Sequence, residues 1–203
     1  MNKLVKENTK NFIIEQAMNM FLENSISGVT MSDIAHFVGI GDATLYRYFK
    51  KKQNIVMMAS SKLADKVYNS CFKEQECHSG IEQLTIFYNA FLEIFTKYNS
   101  YFRFVDELDA YLISEKDVCK QDYETEINMF KNVFDAGYDK GLSDGTVKPQ
   151  ADREIFYYST THALLNLCKF LSSSAVVSQD LNIQKDKEVK TLISVILNSL
   201  KAE

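Results

Sequence analysis

A short stretch of the chain gathers several kinds of hydrogen-bond donor beside a run of positive charge. Residues 44–48 are Thr-Leu-Tyr-Arg-Tyr, and three lysines follow at 50–52. Hydroxyl, guanidinium and ammonium groups donate hydrogen bonds to anionic oxygen, and phosphate suits such a mixture. One acid, Asp42, stands just before these residues, and its carboxylate accepts hydrogen bonds. The stretch therefore offers both donors and an acceptor for polar recognition.

Two short helices separated by a tight turn are predicted to position these side chains. Thr30 is suited to an N-cap, with Asp33 three residues later, and Gly39 to a left-handed turn because it has no Cβ. The apolar residues of the first helix follow helical spacing and are Met31, Ile34, Ala35 and Val38. Leu45 and Phe49, four residues apart, give the second helix its buried edge. Its other face is then turned outward and can enter the major groove of DNA.

This segment resembles the DNA-binding domain of the TetR family of bacterial transcriptional regulators. The residues that carry the resemblance are Ile34-Ala35, Gly39-Ile40, Thr44-Leu45-Tyr46, Tyr48-Phe49 and Lys52, preceded by Phe12 to Asn24 and by Gly28, Val29 and Thr30. Several constraints coincide at fixed spacing, which makes the match specific. It covers about the first quarter of the chain, and the remainder resembles the family only in length and helical character.

The resemblance implies roles for individual side chains. Thr44, Tyr48 and Lys52 fall at family positions that contact phosphate, whereas Asp42, Ala43 and Tyr46 fall at positions that reach bases. The predicted DNA-binding set is Thr30, Ser32, Gly41, Asp42, Ala43, Thr44, Tyr46, Arg47, Tyr48 and Lys52. Relatives usually carry a basic or neutral polar residue in place of Asp42, so we hypothesise that Asp42 accepts a hydrogen bond from a cytosine amino group. The alternative is a solvent-facing acid that stabilises the helix N-terminus.

Composition and charge fit this assignment. The formal net charge is −4, yet residues 1–60 hold seven Lys or Arg against five Asp or Glu, so the positive charge lies beside the proposed DNA face. With one proline, seven glycines and apolar periods near 3.6, the chain is predicted to be all-α. It has no apolar run of membrane-spanning length and no signal-peptide core at its start, so we expect a soluble, cytoplasmic protein with no membrane partner.

The predicted organisation is an N-terminal three-helix helix-turn-helix domain, residues 1–52, and a larger C-terminal helical domain, residues 53–203. The resemblance implies that the second domain binds a ligand and forms a homodimer on a palindromic operator. The family uses its last long helices to dimerise, which here points to the helices around residues 130–141 and 155–171. Core packing within one subunit is the alternative explanation for the apolar faces of these helices.

A small-molecule effector, lipophilic or aromatic, is expected in the C-terminal domain. Its predicted contacts are Phe87, Phe91, Phe95, Phe102, Glu107, Tyr111, Phe130, Phe134, Tyr158 and His162. Aromatic stripes of this kind also occur in ordinary cores. The acids Asp106, Glu107 and Asp109 lie among aromatic residues and would suit a lipophilic cation. By family analogy the ligand releases a repressor from DNA, whereas an activator or a ligand-independent DNA-binding factor would share every feature named above.

Catalysis finds little support in the sequence. The chain has no phosphate-binding glycine loop, no His-Glu-x-x-His motif and only three histidines, so we expect neither an enzyme nor a cofactor. A helical protein-interaction module is the remaining rival. The spacing of Cys71, Cys77 and His78 matches no zinc pattern, so no metal site is predicted. The four cysteines are expected to be reduced thiols, with a redox sensor built from Cys71 and Cys77 as the alternative.

Overall fold

The computed structural model describes residues 3–72, 77–115, 120–173 and 184–202. Within these ranges the chain forms nine α-helices and no strand, which confirms the predicted all-α class. The helices are α1 Lys3–Glu23, α2 Met31–Val38, α3 Asp42–Phe49, α4 Lys52–Phe72, α5 Gly80–Lys97, α6 Asn99–Ser114, α7 Lys120–Asp144, α8 Arg153–Ser172 and α9 Lys185–Leu200. None of these helices is long and apolar enough to cross a membrane.

Polar side chains fix the starts of three helices. Thr30 and Asp33 form a capping box at α2, and Ser79 and Glu82 form another at α5. At α8 the side chain of Asp152 accepts a hydrogen bond from the backbone N–H of Ile155. These contacts satisfy N–H groups that have no partner within the helix. The predicted N-cap at Thr30 and the helix start at Met31 are therefore confirmed.

The end of α7 lies beyond residue 141, where the sequence analysis bounded this helix. The helix continues to Asp144, and Gly145, with φ +74°, follows it. Gly141 is instead a packing residue, because a Cβ placed on Gly80 would lie 2.0 Å from the Gly141 backbone nitrogen. Two helices can approach this closely only without side chains at the crossing. Spacing alone does not separate a glycine that ends a helix from one that permits a close helix crossing.

Two compact units divide the chain. The first comprises Met1–Lys66 and Phe104–Glu126, and the second comprises Val67–Arg103 and Ile127–Glu203. Three helices, α4, α6 and α7, contribute residues to both units. The predicted boundary after residue 52 stays a prediction.

In the first unit, α1 packs on α2 and α2 packs on α3. The side chains that fill the space between them are buried and apolar: Ile13, Ala17, Phe21, Ile34, Ala35, Leu45 and Phe49. Burial of this stripe explains why a short helix such as α3, with only eight residues, is stable. The core thereby fixes the direction in which α3 presents its polar face.

In the second unit, α5 packs against α8 and α9, and α8 packs against α9. The α9 residues in this core are Val189, Ile193, Ile196, Leu197 and Leu200. Phe134 and Tyr138 of α7 are buried in the same core. These two aromatic side chains of α7 therefore belong to the core of the second unit.

Candidate nucleic-acid interface

Helix α3 is anchored by one face and open on the other. Leu45 and Phe49 are fully buried, as the four-residue spacing predicts. Gly39, at φ +73°, makes the left-handed turn that ends α2. Of the predicted DNA-binding residues on the α3 segment, Gly41, Asp42, Ala43, Tyr46 and Arg47 are exposed, and Thr44 and Tyr48 are half-buried. The structure therefore brings these seven residues to one short helix and its N-cap.

A hydrogen bond joins the two helices of the motif across their polar faces. The hydroxyl of Ser32 donates to Oδ2 of Asp42 over 2.9 Å, and both residues are exposed. Asp42 also stands in the first turn of α3, where a carboxylate is stabilised by the helix dipole. Since a carboxylate has several acceptor positions, the bond to Ser32 orients the group without using all of them.

Thr30 is engaged in the cap of α2. Its hydroxyl donates to Oδ2 of Asp33 over 2.6 Å and accepts from the Asp33 backbone N–H over 3.1 Å. These hydrogen bonds hold the pKa of Asp33 below its ordinary value. A contact from Thr30 to phosphate would have to share this hydroxyl, so its main role in this structure is to start the helix.

Lys52, at the start of α4, is turned toward the protein. Its Nζ donates a hydrogen bond to the backbone carbonyl of Ile26 and lies 5.6 Å from the centre of the Tyr111 ring. Partial burial lowers the pKa of this lysine despite the nearby acids Glu115 and Asp33. An ammonium group has three N–H donors, so the predicted phosphate contact requires that Lys52 share or release the Ile26 carbonyl.

Two lysines that the predicted set omits are exposed next to α3. Lys50 forms the C-cap of α3 with φ +60°, a backbone conformation that residues other than glycine seldom adopt. Lys51 follows and is also exposed. The run of three lysines was the signal for both residues, whereas the family positions pointed only to the third. We add Lys50 and Lys51 to the candidate phosphate contacts.

The predicted effector-binding residues fall into both units. Glu107 and Tyr111 belong to the first unit, where Oε2 of Glu107 accepts a hydrogen bond from the backbone N–H of Ile26 over 2.8 Å. The remaining eight belong to the second unit. Periodicity along α6 could not reveal this division, because the contacts of Glu107 lie in a distant part of the sequence.

Within the second unit, most of the predicted aromatic residues pack directly on one another. Phe87 lies between Phe91 and Phe134, with ring centres 6.2 and 5.7 Å away. Two further pairs are Phe95 with Phe102, at 6.5 Å, and Tyr158 with His162, at 5.7 Å. Phe130 contacts Tyr68 and Phe72 at the end of α4. Phe87, Phe95, Phe102 and Phe134 are buried, whereas His162 is exposed.

The thiols of the second unit differ in burial. Burial raises the pKa of Cys71 to about 11 and that of Cys168 to about 12, so both are protonated at neutral pH. Cys77 is half-exposed, and Cys119 lies outside the described residues. A redox sensor requires a reactive thiolate, which a buried and protonated Cys71 does not provide. Among the described residues, no group of histidine, cysteine and acidic side chains is arranged to hold a metal ion.

Comparison with known families confirms the resemblance. Residues 13–57 match the model of the bacterial regulatory proteins of the tetR family. This segment contains the end of α1, all of α2 and α3 and the start of α4. A search of curated protein sequences finds no significant match.

Several solved structures share the fold over nearly the whole chain. A putative TetR-family transcriptional regulator from Rhodococcus sp. is 14% identical, with a TM-score of 0.72 over 93% of this chain and 98% of that one. GusR of Salmonella enterica is 15% identical, with a TM-score of 0.68 over 96% of both chains. The fatty acid degradation regulator FadR from Bacillus halodurans is 16% identical, with a TM-score of 0.63 over 93% of this chain and 94% of that one. At these identities the likeness is one of fold.

Proposed function

We propose that this chain, which carries the DNA-binding domain of TetR-family transcriptional regulators, is a repressor. It binds a palindromic operator as a homodimer, and a small molecule releases it from the DNA. A single observation carries the proposal: the exposed polar face of α3, held in place by buried Leu45 and Phe49. A helix exposed in this way has the size and chemistry for a major groove.

Two kinds of contact are assigned to this face. Lys50, Lys51 and Arg47, with the hydroxyls of Thr44 and Tyr48, are proposed to bind phosphates and set the position of the helix. Asp42 and Tyr46, with Ala43 between them, are proposed to lie along the base edges. The hydrogen bond from Ser32 supports a role for Asp42 in base recognition, because it holds the carboxylate in one orientation.

The apolar surface of α8 and α9 is proposed as the dimer interface. Ile155 on α8 and Val195 on α9 are both 61% exposed, and Phe170 of α8 is 44% exposed. Exposed apolar side chains on two helices packed side by side favour association with a second copy. The family resemblance points to α7 as well as α8, but Phe134 and Tyr138 of α7 are buried inside the subunit, so α9 replaces α7 in the proposal.

Selection of bound DNA from a random duplex pool tests the proposal. We expect an enriched inverted repeat, and an affinity that falls steeply with added salt because phosphate contacts release counterions. Failure to enrich any motif at modest ionic strength would overturn the assignment. An enriched direct or single half-site would instead overturn the palindromic homodimer.

A matched pair of tyrosine variants separates the reading face from general effects. Tyr46 on α3 is 50% exposed, and Tyr98 at the end of α5 is 46% exposed. We expect Tyr46→Ala to weaken operator binding by about 1–3 kcal/mol, the range for one base contact, and Tyr98→Ala to leave it unchanged. Equal losses in both variants would argue against α3 as the reading helix.

The cytosine hypothesis is tested by base preference. Asp42→Ala is expected to relax the selected motif at one position of each half-site, and Ser32→Ala is expected to relax the same position less. An unchanged motif in Asp42→Ala would show that the carboxylate serves only the helix N-terminus. Asp186→Ala, which removes an exposed carboxylate of the second unit, is the control for the loss of a negative surface charge.

Light scattering after size exclusion tests the dimer. We expect Ile155→Glu and Val195→Glu each to shift the protein toward the monomer, because a charge would be buried between the subunits. Ile113→Glu on α6, where the native side chain is 87% exposed, is the matched control and should remain dimeric. A protein that stays dimeric with charges at both positions would place the interface elsewhere.

A further inference from the structure

A cleft opens on the surface of the second unit between the end of α4, α5 and α7. Its volume is about 490 Å³, which falls within the range of small-molecule sites. The described residues that line it are Tyr68, Phe72, Cys77, Gln83, Ile86, Asn132, Val133, Ala136 and Lys140. Only Cys77 of this set was singled out in the sequence, and there for its thiol.

One wall of the cleft is aromatic and held in place from behind. The rings of Tyr68 and Phe72 lie 5.5 Å apart, and Phe130 meets them edge-on at 5.9 and 6.0 Å. Phe87 stacks on Phe72 at 6.1 Å. The predicted effector residues Phe87 and Phe130 thus support the wall of this cleft. Since neighbouring rings fix the wall, a flat ligand meets a surface that is already organised.

Lysine and amide side chains form the polar side of the cleft. Lys140 is the only charged side chain among the described lining residues. Its Nζ donates to the backbone carbonyl of Cys77 over 2.7 Å, which uses one of three N–H donors and fixes the ammonium at the cleft. Gln83 and Asn132 add side-chain amides, which can donate as well.

The acid whose charge acts on Lys140, Asp144, is hydrogen-bonded to other groups. Asp144, which interacts with Lys140 electrostatically, accepts hydrogen bonds from the backbone N–H of Gly80 and from both the N–H and the hydroxyl of Thr146. It does not line the cleft. The described lining therefore presents a positive charge with amide donors, and no carboxylate to receive a cation.

We propose that this cleft binds a small organic anion with a flat apolar body, of which an aryl carboxylate is the simplest form. The carboxylate pairs with Lys140, the amides of Gln83 and Asn132 donate to its oxygens, and the apolar body lies on Tyr68 and Phe72. The charge of Lys140 argues against a lipophilic cation in this cleft, and the acids of α6 that suggested one, Asp106, Glu107 and Asp109, are not among the described residues that line it.

Binding of three naphthalene probes tests the ligand class. The probes are 2-naphthoate, neutral 2-naphthamide and cationic 2-naphthylmethylammonium. Calorimetry and probe fluorescence measure their binding to the full chain. The chain has no tryptophan, which simplifies the fluorescence measurement. We expect 2-naphthoate to bind at least about tenfold more tightly than the amide, as one charge-assisted hydrogen bond predicts, and the ammonium probe to bind least. Equal binding of acid and amide, or tightest binding of the ammonium probe, would overturn the anion class.

Matched variants test whether 2-naphthoate binds in this cleft. Lys140→Met keeps the length of the side chain and removes its charge, so 2-naphthoate should bind about tenfold more weakly. Ala136→Phe places a ring in the cleft from an exposed position and should abolish binding without unfolding the protein, which circular dichroism checks. Lys148→Met removes an exposed lysine of the same unit and should bind as the wild type does. Absence of binding, or binding that Ala136→Phe leaves intact, would overturn the site.

Only the consequence for DNA rests on the proposed function. If the cleft is the effector site, 2-naphthoate at saturating concentration lowers the affinity for the selected operator, and Ala136→Phe removes this effect. A selection that recovers an inverted repeat while 2-naphthoate fails to bind would overturn the cleft and leave the DNA-binding function standing. Binding of 2-naphthoate with no enriched DNA motif would overturn the DNA-binding function and leave the cleft standing.

Discussion

The carboxylate of Glu107 on α6 accepts a hydrogen bond of 2.8 Å from the backbone N–H of Ile26, in the turn between α1 and α2. The backbone carbonyl of Ile26 accepts a hydrogen bond from the ammonium group of Lys52 on α4. Both polar groups of a buried backbone position are thereby satisfied by side chains that lie far away in the sequence. The turn that leads from α1 into α2 is thus held in place by side chains of α4 and α6 as well as by its own residues.

This bond predicts a stability loss in Glu107→Ala. Removal of the carboxylate leaves the Ile26 N–H without its acceptor, so the free energy of unfolding should fall by about 1–3 kcal/mol. Glu107→Gln retains a carbonyl oxygen and should lose less. Urea unfolding followed by circular dichroism measures both variants. If Glu107→Ala were as stable as the wild type, the bond would not contribute in solution.

The contact of Gly80 with Gly141 predicts that a single methyl group is poorly tolerated. In Gly80→Ala the new Cβ meets backbone atoms of α7, which cannot rotate away, so we expect a loss of about 3 kcal/mol or failure to fold. Gly137→Ala is the graded comparison, because its Cβ would lie 3.2 Å from the side chains of Gln83 and Leu84, which can adjust. Thermal unfolding should rank Gly80→Ala as the more damaging change, and the opposite order would contradict the close crossing.

Arg153 at the start of α8 connects that helix to α7. Its guanidinium donates to the carboxylates of Asp135 and Asp139 and lies 5.0 Å from the centre of the Tyr138 ring. We expect Arg153→Lys to lower the free energy of unfolding by about 1 kcal/mol, because a lysine keeps the charge and loses the forked geometry. Lys97→Arg, which alters a cation paired with Glu93 outside this network, is the control. Urea unfolding at two salt concentrations measures the effect, which should be smaller at high salt.

The buried thiol of Cys168 predicts a loss of stability at alkaline pH. Burial raises its pKa from the ordinary value of 9.0 to about 12, so the folded chain holds its proton after the unfolded chain has released it. The resulting contribution is complete below pH 9 and is lost as the pH rises from there toward 12. At pH 10 the loss should be about 1.4 kcal/mol.

Cys168→Ala isolates this contribution from that of other alkaline groups. The variant should be less stable than the wild type at pH 8, because it leaves a small cavity, and its stability should then decline less steeply toward pH 10. Urea midpoints at the two pH values give the comparison. Parallel declines in the two proteins would mean that Cys168 does not titrate differently on folding.

Much of the helix-turn-helix motif could be predicted from the sequence because its determinants are local. The N-cap at Thr30, the left-handed turn at Gly39 and the buried pair Leu45 and Phe49 depend on residues within one or two helical turns of each other. The all-α class follows from the same short-range periodicity. Residue type and spacing were therefore sufficient to define α2 and α3.

Only the tertiary structure decided what the side chains touch across long separations. Periodicity places Glu107 and Lys52 on helices, yet it cannot show that both reach Ile26. It marks Phe87 and Phe130 as apolar, yet not that they support a cleft whose charge comes from Lys140. The physical reason is that a helix pattern specifies which face is buried, whereas the partner of that face depends on how distant helices pack.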